Sequence, residues 1–328
     1  RDVSNWDTSK VKKMNNLFHD TSNLTTLDVS KWDVSKVTAM EYMFGSTGLS
    51  NIDVSKWDTS SATDMGFMFN NARNLVTVDV SKWDVSKVTD MGYMFDGTSS
   101  LSSLNVSDWN VGAVKNMNHT FAGTSALTSL DVSRWDTSNV ESMAYMFEAT
   151  GVAYLNVSNW NTSKVTTIAY MFYNATNINN IDVSRWNTGN VTNMISTFNG
   201  ATSITYLAVS NWNMSNVTIT SHMFAGATAL TYIDVSNWDM GKVNSMNSMF
   251  ANTTSLASLD VSRWDTSKVT DMNSLFLNAT ALTYLNVSDW NTGIVKSMSS
   301  TFDGVHLSNI DVSKWNTSSV TNMTKTLS

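Results

Sequence analysis

Hydrophobic and polar positions recur along this chain with a fixed long period. The stretch Asp79-Val-Ser-Lys-Trp-Asp-Val-Ser-Lys-Val-Thr-Asp-Met-Gly-Tyr-Met-Phe95 shows the unit. Columns are numbered here from the Asp of Asp-Val-Ser. In Leu127-Thr-Ser-Leu-Asp-Val-Ser133, Leu130 and Val132 are two apart, with Asp131 between them. That alternation predicts a short strand with Leu130 and Val132 on one face and Asp131 on the other. After the Trp, column 6 is always Asp or Asn and column 8 always Ser or Gly. Both columns suit a helix N-cap. Val88, Met91, Met94 and Phe95 then fall at i, i+3, i+6 and i+7, which predicts one face of a short helix. A polar turn, Asp96-Gly-Thr-Ser-Ser100, leads to the next strand.

The unit returns thirteen times, marked by thirteen tryptophans from Trp6 to Trp315 at spacings of 25 or 26 residues. A period of that size is the signature of a solenoid. The expectation is one elongated right-handed solenoid over residues 1–328, with short parallel strands on one side and short helices on the other. The alternative is an all-β solenoid in which Val88-Thr-Asp-Met91 is a second strand. The chain starts and stops inside a unit, at Arg1 and Ser328, and neither end reads as a polar cap. A piece of a longer protein is expected.

Composition narrows the function. A net charge of −7 argues against a nucleic-acid backbone partner and a polybasic membrane contact. The absence of cysteine excludes disulfides and thiolate metal sites. Proline is absent too, so nothing interrupts the array. The histidines (19, 119, 222 and 306) lie outside the strongly repeated columns. The sequence has no phosphate loop, nucleophile triad or zinc motif, and paired carboxylates recur at columns 1 and 6 of seven units, so none stands out as catalytic. A non-catalytic protein without a cofactor is expected.

Column 1 holds nine Asp, and stacked Asp repel one another, which raises a calcium ladder as one reading. Column 4 offers another: it is Lys or Arg in seven of those nine units and never basic where column 1 is Asn. Charge compensation within each unit is therefore favoured over a metal array. The methionine columns, with Met65, Met91, Met143 and Met272, read as core beside the Phe column.

Together these residues carry a resemblance. Leu259-Asp-Val-Ser-Arg-Trp-Asp-Thr-Ser-Lys-Val-Thr-Asp-Met272, followed by Leu275-Phe276, resembles the BspA-like leucine-rich repeat surface proteins, the DUF285 repeat, and the likeness covers essentially the whole chain. The resemblance implies a leucine-rich repeat fold and an extracellular, cell-wall-associated bacterial protein, often an adhesin, with no catalytic residues. Many members carry Cys a few residues after the Phe; here that column is small instead, as in Thr98, Ala175 and Ala279.

Variable positions of repeat proteins are where recognition is encoded. The last strand position before column 1 carries Tyr154, Tyr206, Tyr232 and Tyr284, and Ala208 interrupts the acidic column beside Tyr206. These four tyrosines are the candidate ligand-binding residues, for a glycan or protein of a host or neighbouring cell. A second aromatic stripe, at column 15, comprises Tyr42, Phe67, Tyr93, Tyr145 and Tyr170. Two other functions compete. One is a spacer or self-assembling filament stacking end to end through unpaired strands. The other is ice binding by repeated Thr-Ser pairs such as Thr137-Ser138; Val34, Val85, Met214 and Met240 break that array.

Overall fold

The computed structural model describes residues 2–327, so Arg1 and Ser328 lie outside the described residues. The chain folds as two compact units, residues 1–164 and 165–328. Each is a stack of the same coil.

The strands are minimal. They are β1 (Asn51–Ile52), β2 (Thr77–Val78), β3 (Tyr154–Leu155), β4 (Asn180–Ile181), β5 (Tyr206–Leu207) and β6 (Tyr232–Ile233). In the first unit β1 pairs in parallel with β2, Asn51 opposite Thr77. In the second, β5 pairs in parallel with β6, Tyr206 opposite Tyr232. The expected alternation holds: Leu130 and Val132 are buried, and Asp131 between them is exposed.

The predicted helix is absent; no helix occurs among the described residues. A ladder of parallel bridges at column 12 takes its place, running Ala39, Asp64, Asp90, Asn116 and Ser142 in the first unit. In the second unit it runs Thr167, Asn193, Ile219, Ser245, Asp271 and Ser297. Asp90 lies inside Val88–Met91, so the second extended segment of the all-β alternative is the closer description. A ribbon of turns follows. The N–H groups of Met91, Tyr93, Phe95 and Gly97 donate to the carbonyls of Asn116, Asn118, Thr120 and Ala122 in the next coil, at 2.8–3.0 Å. Those between, on Met94, Asp96 and Thr98, donate three residues back to Met91, Tyr93 and Phe95. Every donor is satisfied without a helix, and a segment this short would make a marginal one. Left-handed backbone at Tyr93 (φ 59°) and Gly97 (φ 70°) turns the ribbon every four residues. That rhythm imitates a helical face: Val88, Met91, Met94 and Phe95 are all fully buried, as the periodicity required.

The core is a set of ring and aliphatic columns. Phe44, Phe69, Phe95, Phe121 and Phe147 stack at 5.5–6.0 Å in the first unit. Phe172, Phe198, Phe224, Phe250 and Phe276 do so at 5.3–5.9 Å in the second. The tryptophans lie beside them, Trp135 at 5.9 Å from Phe121 and Trp212 at 6.4 Å from Phe198. In both units indole N–H groups reach back one coil. Trp57, Trp83, Trp109 and Trp135 donate to the carbonyls of Val29, Val54, Val80 and Val106 at 3.0–3.1 Å. Trp212, Trp238, Trp264 and Trp290 do the same to Val183, Val209, Val235 and Val261. The invariant Trp-plus-Val pair is therefore a polar clamp as well as packing. The methionine columns are core as read, with Met65, Met91, Met143 and Met272 fully buried. The small column after the Phe is buried as well, and the Thr98 hydroxyl donates to the Phe95 carbonyl at 2.6 Å.

The Asp, Asn and Ser columns are not helix caps. The column 6 carboxylate or amide accepts the column 8 N–H, as Asp84 does from Ser86 at 2.9 Å and Asn110 from Gly112 at 3.2 Å. These are Asx turns, the local bond by which Asp and Asn bend a chain. Two units of 25 residues close their loop with a glycine. At Gly151 a Cβ would stand 2.2 Å from the Ser125 carbonyl oxygen, and at Gly48 it would stand 2.1 Å from that of Ser22. Losing one loop residue draws the backbone against the preceding coil at these two places, and only glycine fits there.

Candidate functional site

The strand face places the four predicted tyrosines outward. Tyr154 is 59% exposed in the first unit; Tyr206, Tyr232 and Tyr284 are 56%, 49% and 67% exposed in the second. Alternation is the cause: Leu207 and Val209 turn inward, leaving Tyr206 and Ala208 on the outer face. The structure brings Tyr206 and Tyr232 together as directly opposed residues of β5 and β6. Their rings are parallel within 5° with centroids 6.3 Å apart. Tyr284 stands beyond Ser258, and Tyr232, Ser258 and Tyr284 line one cleft of about 680 Å³ with Asp234, Asp260 and Asn286. In the first unit Tyr154 lines a separate cleft of about 560 Å³ with Asp131, Asn105 and Asn156.

The acidic column borders these clefts. Its carboxylates are held chiefly by the next serine but one. Asp260 accepts the Ser262 N–H at 3.1 Å and its hydroxyl at 2.7 Å. Those two bonds depress the Asp260 carboxyl below the usual range, with a smaller contribution from Arg263. Asp79 is lowered likewise by Ser81 first and Lys82 last. The expected compensation by column 4 is thus the lesser effect. Two of the basic side chains instead make contacts across coils: Arg134 meets Asp108 at 3.4 Å and Lys314 meets Asp289 at 2.7 Å, column 4 to column 4. All four side chains are exposed, so solvent screens these pairs and they add little to stability.

The column 15 stripe is a closer stack than its spacing suggested. In the first unit Tyr42, Phe67 and Tyr93 stack at 4.2–4.4 Å. His119 continues the stack, 4.2 Å from Tyr93 and 4.3 Å from Tyr145, nearly parallel to both. The sequence pattern sets His119 aside as lying outside the strongly repeated columns; its place at column 15, in line with Tyr93 and Tyr145, is the signal that could have found it. Tyr42, Phe67, Tyr93, His119 and Tyr145 all have left-handed backbone, φ 54–59°. That conformation costs an L residue about 1 kcal/mol, so the ring stack offsets a recurring strain. Burial here pushes His119 down to about 4 and Asp96 up to about 6. Burial raises Glu148 too, and its carboxylate lies 4.0 Å from the His119 ring. Asp96 keeps one bond, from the Asn70 amide at 2.9 Å.

The Thr-Ser pairs do not form an exposed array. Thr137 is 1% exposed, and its hydroxyl donates to the Asn161 carbonyl at 3.0 Å. Thr59, Thr188 and Thr266 are spent the same way on the next coil. An ice-binding surface cannot be built from them. Among the described residues no group of three or more His, Cys, Asp or Glu could hold a metal ion, and no helix is long and apolar enough to cross a membrane.

Comparison with known proteins gives a family and a fold. The family described as "Mycoplasma protein of unknown function, DUF285" matches residues 1–103, 74–181, 148–258 and 253–328. No curated protein matches the chain. A leucine-rich repeat protein from Bacteroides ovatus is similar in structure, with a TM-score of 0.53, 13% identity, and coverage of 94% of this chain and 76% of that one. A leucine-rich repeat protein from Eubacterium ventriosum matches at a TM-score of 0.44 and 15% identity, over 92% of this chain and 76% of that one. A leucine-rich cell surface protein from Faecalibacterium prausnitzii matches at 0.39 and 15%, over 82% and 79%.

Proposed function

Because this chain belongs to the DUF285 family of leucine-rich-repeat-like proteins, we propose that it is the non-catalytic binding region of a bacterial cell-surface protein. Its place is extracellular and associated with the cell wall. Its ligand, a glycan or protein of a host or neighbouring cell, lies on the tyrosine-bearing strand face. One observation carries this reading: Tyr206 and Tyr232 form a parallel pair of half-exposed rings on a face that also presents Tyr284, Ser258, Asp234, Asp260 and Asn286. Cross-strand packing stabilises a sheet by about 0.2–1 kcal/mol per pair, a return that does not call for large apolar rings left in water. A flat aromatic surface edged by hydroxyls and carboxylates fits sugar faces and peptide side chains.

The test is a binding screen against glycans and mucins with the wild-type chain and a Tyr206→Ala/Tyr232→Ala variant. Loss of the captured ligand in a folded double variant is expected. Unchanged binding would move the site off this face. Sedimentation belongs in the same experiment: reversible, concentration-dependent growth without any ligand would favour the self-assembling spacer instead.

A further inference from the structure

We propose that the break in the tyrosine column at Ser258 is a slot that receives one neutral pyranose ring of a glycan. This rests on the strand face being the binding face, and adds which part of it binds and by what chemistry. Three successive coils carry Tyr232, Ser258 and Tyr284 at the same position, two residues before column 1, and all three line one cleft. Parallel rungs are about 4.8 Å apart, so the backbones of Tyr232 and Tyr284 are separated by about 9.6 Å, and a body seated midway lies about 4.8 Å from each. Carbon surfaces touch at about 3.5–4.0 Å, so a flat aromatic guest would leave a gap against one wall. A chair-form sugar is thicker, because axial hydrogens stand off both faces of its ring, and it spans that separation. Where the column is unbroken, at Tyr206 and Tyr232, the rings already face each other with centroids 6.3 Å apart, and no third ring enters.

The rim of the slot suits hydroxyl groups. Asp234 Oδ1 accepts the Ser236 N–H at 3.1 Å and hydroxyl at 2.7 Å, and Asp260 Oδ1 does the same with Ser262. Among the described residues Oδ2 of each has no hydrogen-bond partner, so one acceptor per coil is left over. Charged acceptors make the stronger hydrogen bonds to hydroxyls. Asn286 continues the row as an amide that both donates and accepts. The serine that braces each carboxylate also fixes where its spare oxygen sits. Two carboxylates on the rim repel an acidic sugar, so the slot selects neutral rings over uronic acids.

The experiment is saturation-transfer NMR on the full chain with the methyl pyranosides of glucose, galactose, mannose and N-acetylglucosamine, and with methyl glucuronide as the acidic control. Each is supplied at about 10 mM, enough to populate a site of millimolar Kd. Transfer to at least one neutral pyranoside and none to the glucuronide is expected. Ser258→Tyr places in the gap the residue its neighbouring coils already carry, so the fold is kept while the slot is filled. It should raise the Kd, read from the concentration dependence of the transfer, about tenfold, equivalent to about 1.4 kcal/mol, as should Tyr284→Ala, whereas Tyr206→Ala, one coil outside the slot, should raise it less than either. If Ser258→Tyr binds as well as wild type or better while Tyr206→Ala loses binding, the exposed pair holds the sugar; the slot is then wrong and the face reading stands. If none of the three variants changes binding, both are wrong. Absence of transfer to every pyranoside overturns the slot, and the mucin screen then decides the face independently.

Discussion

Truncating Trp135 to alanine removes a ring that is 3% exposed, stacked 6.4 Å from Trp109 and from Trp160, and bonded to the Val106 carbonyl at 3.1 Å. A Trp side chain buries about 200 Å², which at about 25 cal/mol per Å² is about 5 kcal/mol. Residual compactness of the unfolded chain lowers that to about 3–4 kcal/mol. The orphaned Val106 carbonyl adds about 1 kcal/mol, for a total of about 4–5 kcal/mol. Trp135→Phe keeps a ring and loses the donor, and should cost about 1–2 kcal/mol. Trp6 supplies the control: it is 53% exposed and stacks on Trp32 at 5.9 Å, so Trp6→Ala should cost about 2 kcal/mol. Trp315, partly buried and still bonded to the Val287 carbonyl at 3.0 Å, should fall between them. Stacked coils can open in segments, so a single midpoint would blur these differences. Hydrogen exchange read coil by coil resolves them, with urea titration giving the scale. Equal losses at Trp135 and Trp6 would refute the clamp-and-stack account.

Three further outcomes follow from particular contacts. Gly151→Ala sets a Cβ 2.2 Å from the Ser125 oxygen and should lower stability by more than about 2 kcal/mol in a thermal melt; a neutral result would mean the short loop relaxes freely. Asp96 titrates near 6 when folded against an ordinary 3.8, so the folded state holds more protons between those values and loses stability as pH rises through them. Asp96→Asn should therefore stabilise above pH 6. The full shift corresponds to about 3 kcal/mol, which partial exposure reduces to about 1 kcal/mol, with no gain at low pH. His119 acts in the opposite sense, since its folded value near 4 lies below the usual 6.5, so stability rises with pH across that interval. In the Asp96→Asn variant that rise should be unmasked in urea midpoints measured from pH 4 to 7. Finally, Ser81→Ala should raise the Asp79 carboxyl in an NMR titration more than Lys82→Ala does, because the serine bonds are the larger cause; the reverse order would restore charge compensation as the organising force.

Sequence by itself determined the period, the inward columns and the outward tyrosines. Alternation around Leu207 and the spacing of Val88, Met91, Met94 and Phe95 are local properties, and burial enforces them wherever one face meets a core. The same local spacing misnamed the element at Val88–Phe95, because a ribbon turning every four residues buries the same positions as a helix does. What separates the two is where the N–H groups go. Met91, Tyr93 and Phe95 donate to carbonyls 25 residues away, a choice made only when coils stack. The Trp135 clamp on Val106 lies 29 residues back along the chain. His119 entered the ring stack in the same way, being next to Tyr93 and Tyr145 in space and 26 residues from each in sequence. The tertiary structure also turned a missing tyrosine at Ser258 into a space with two walls, since a gap between rings exists only once the rungs are set side by side.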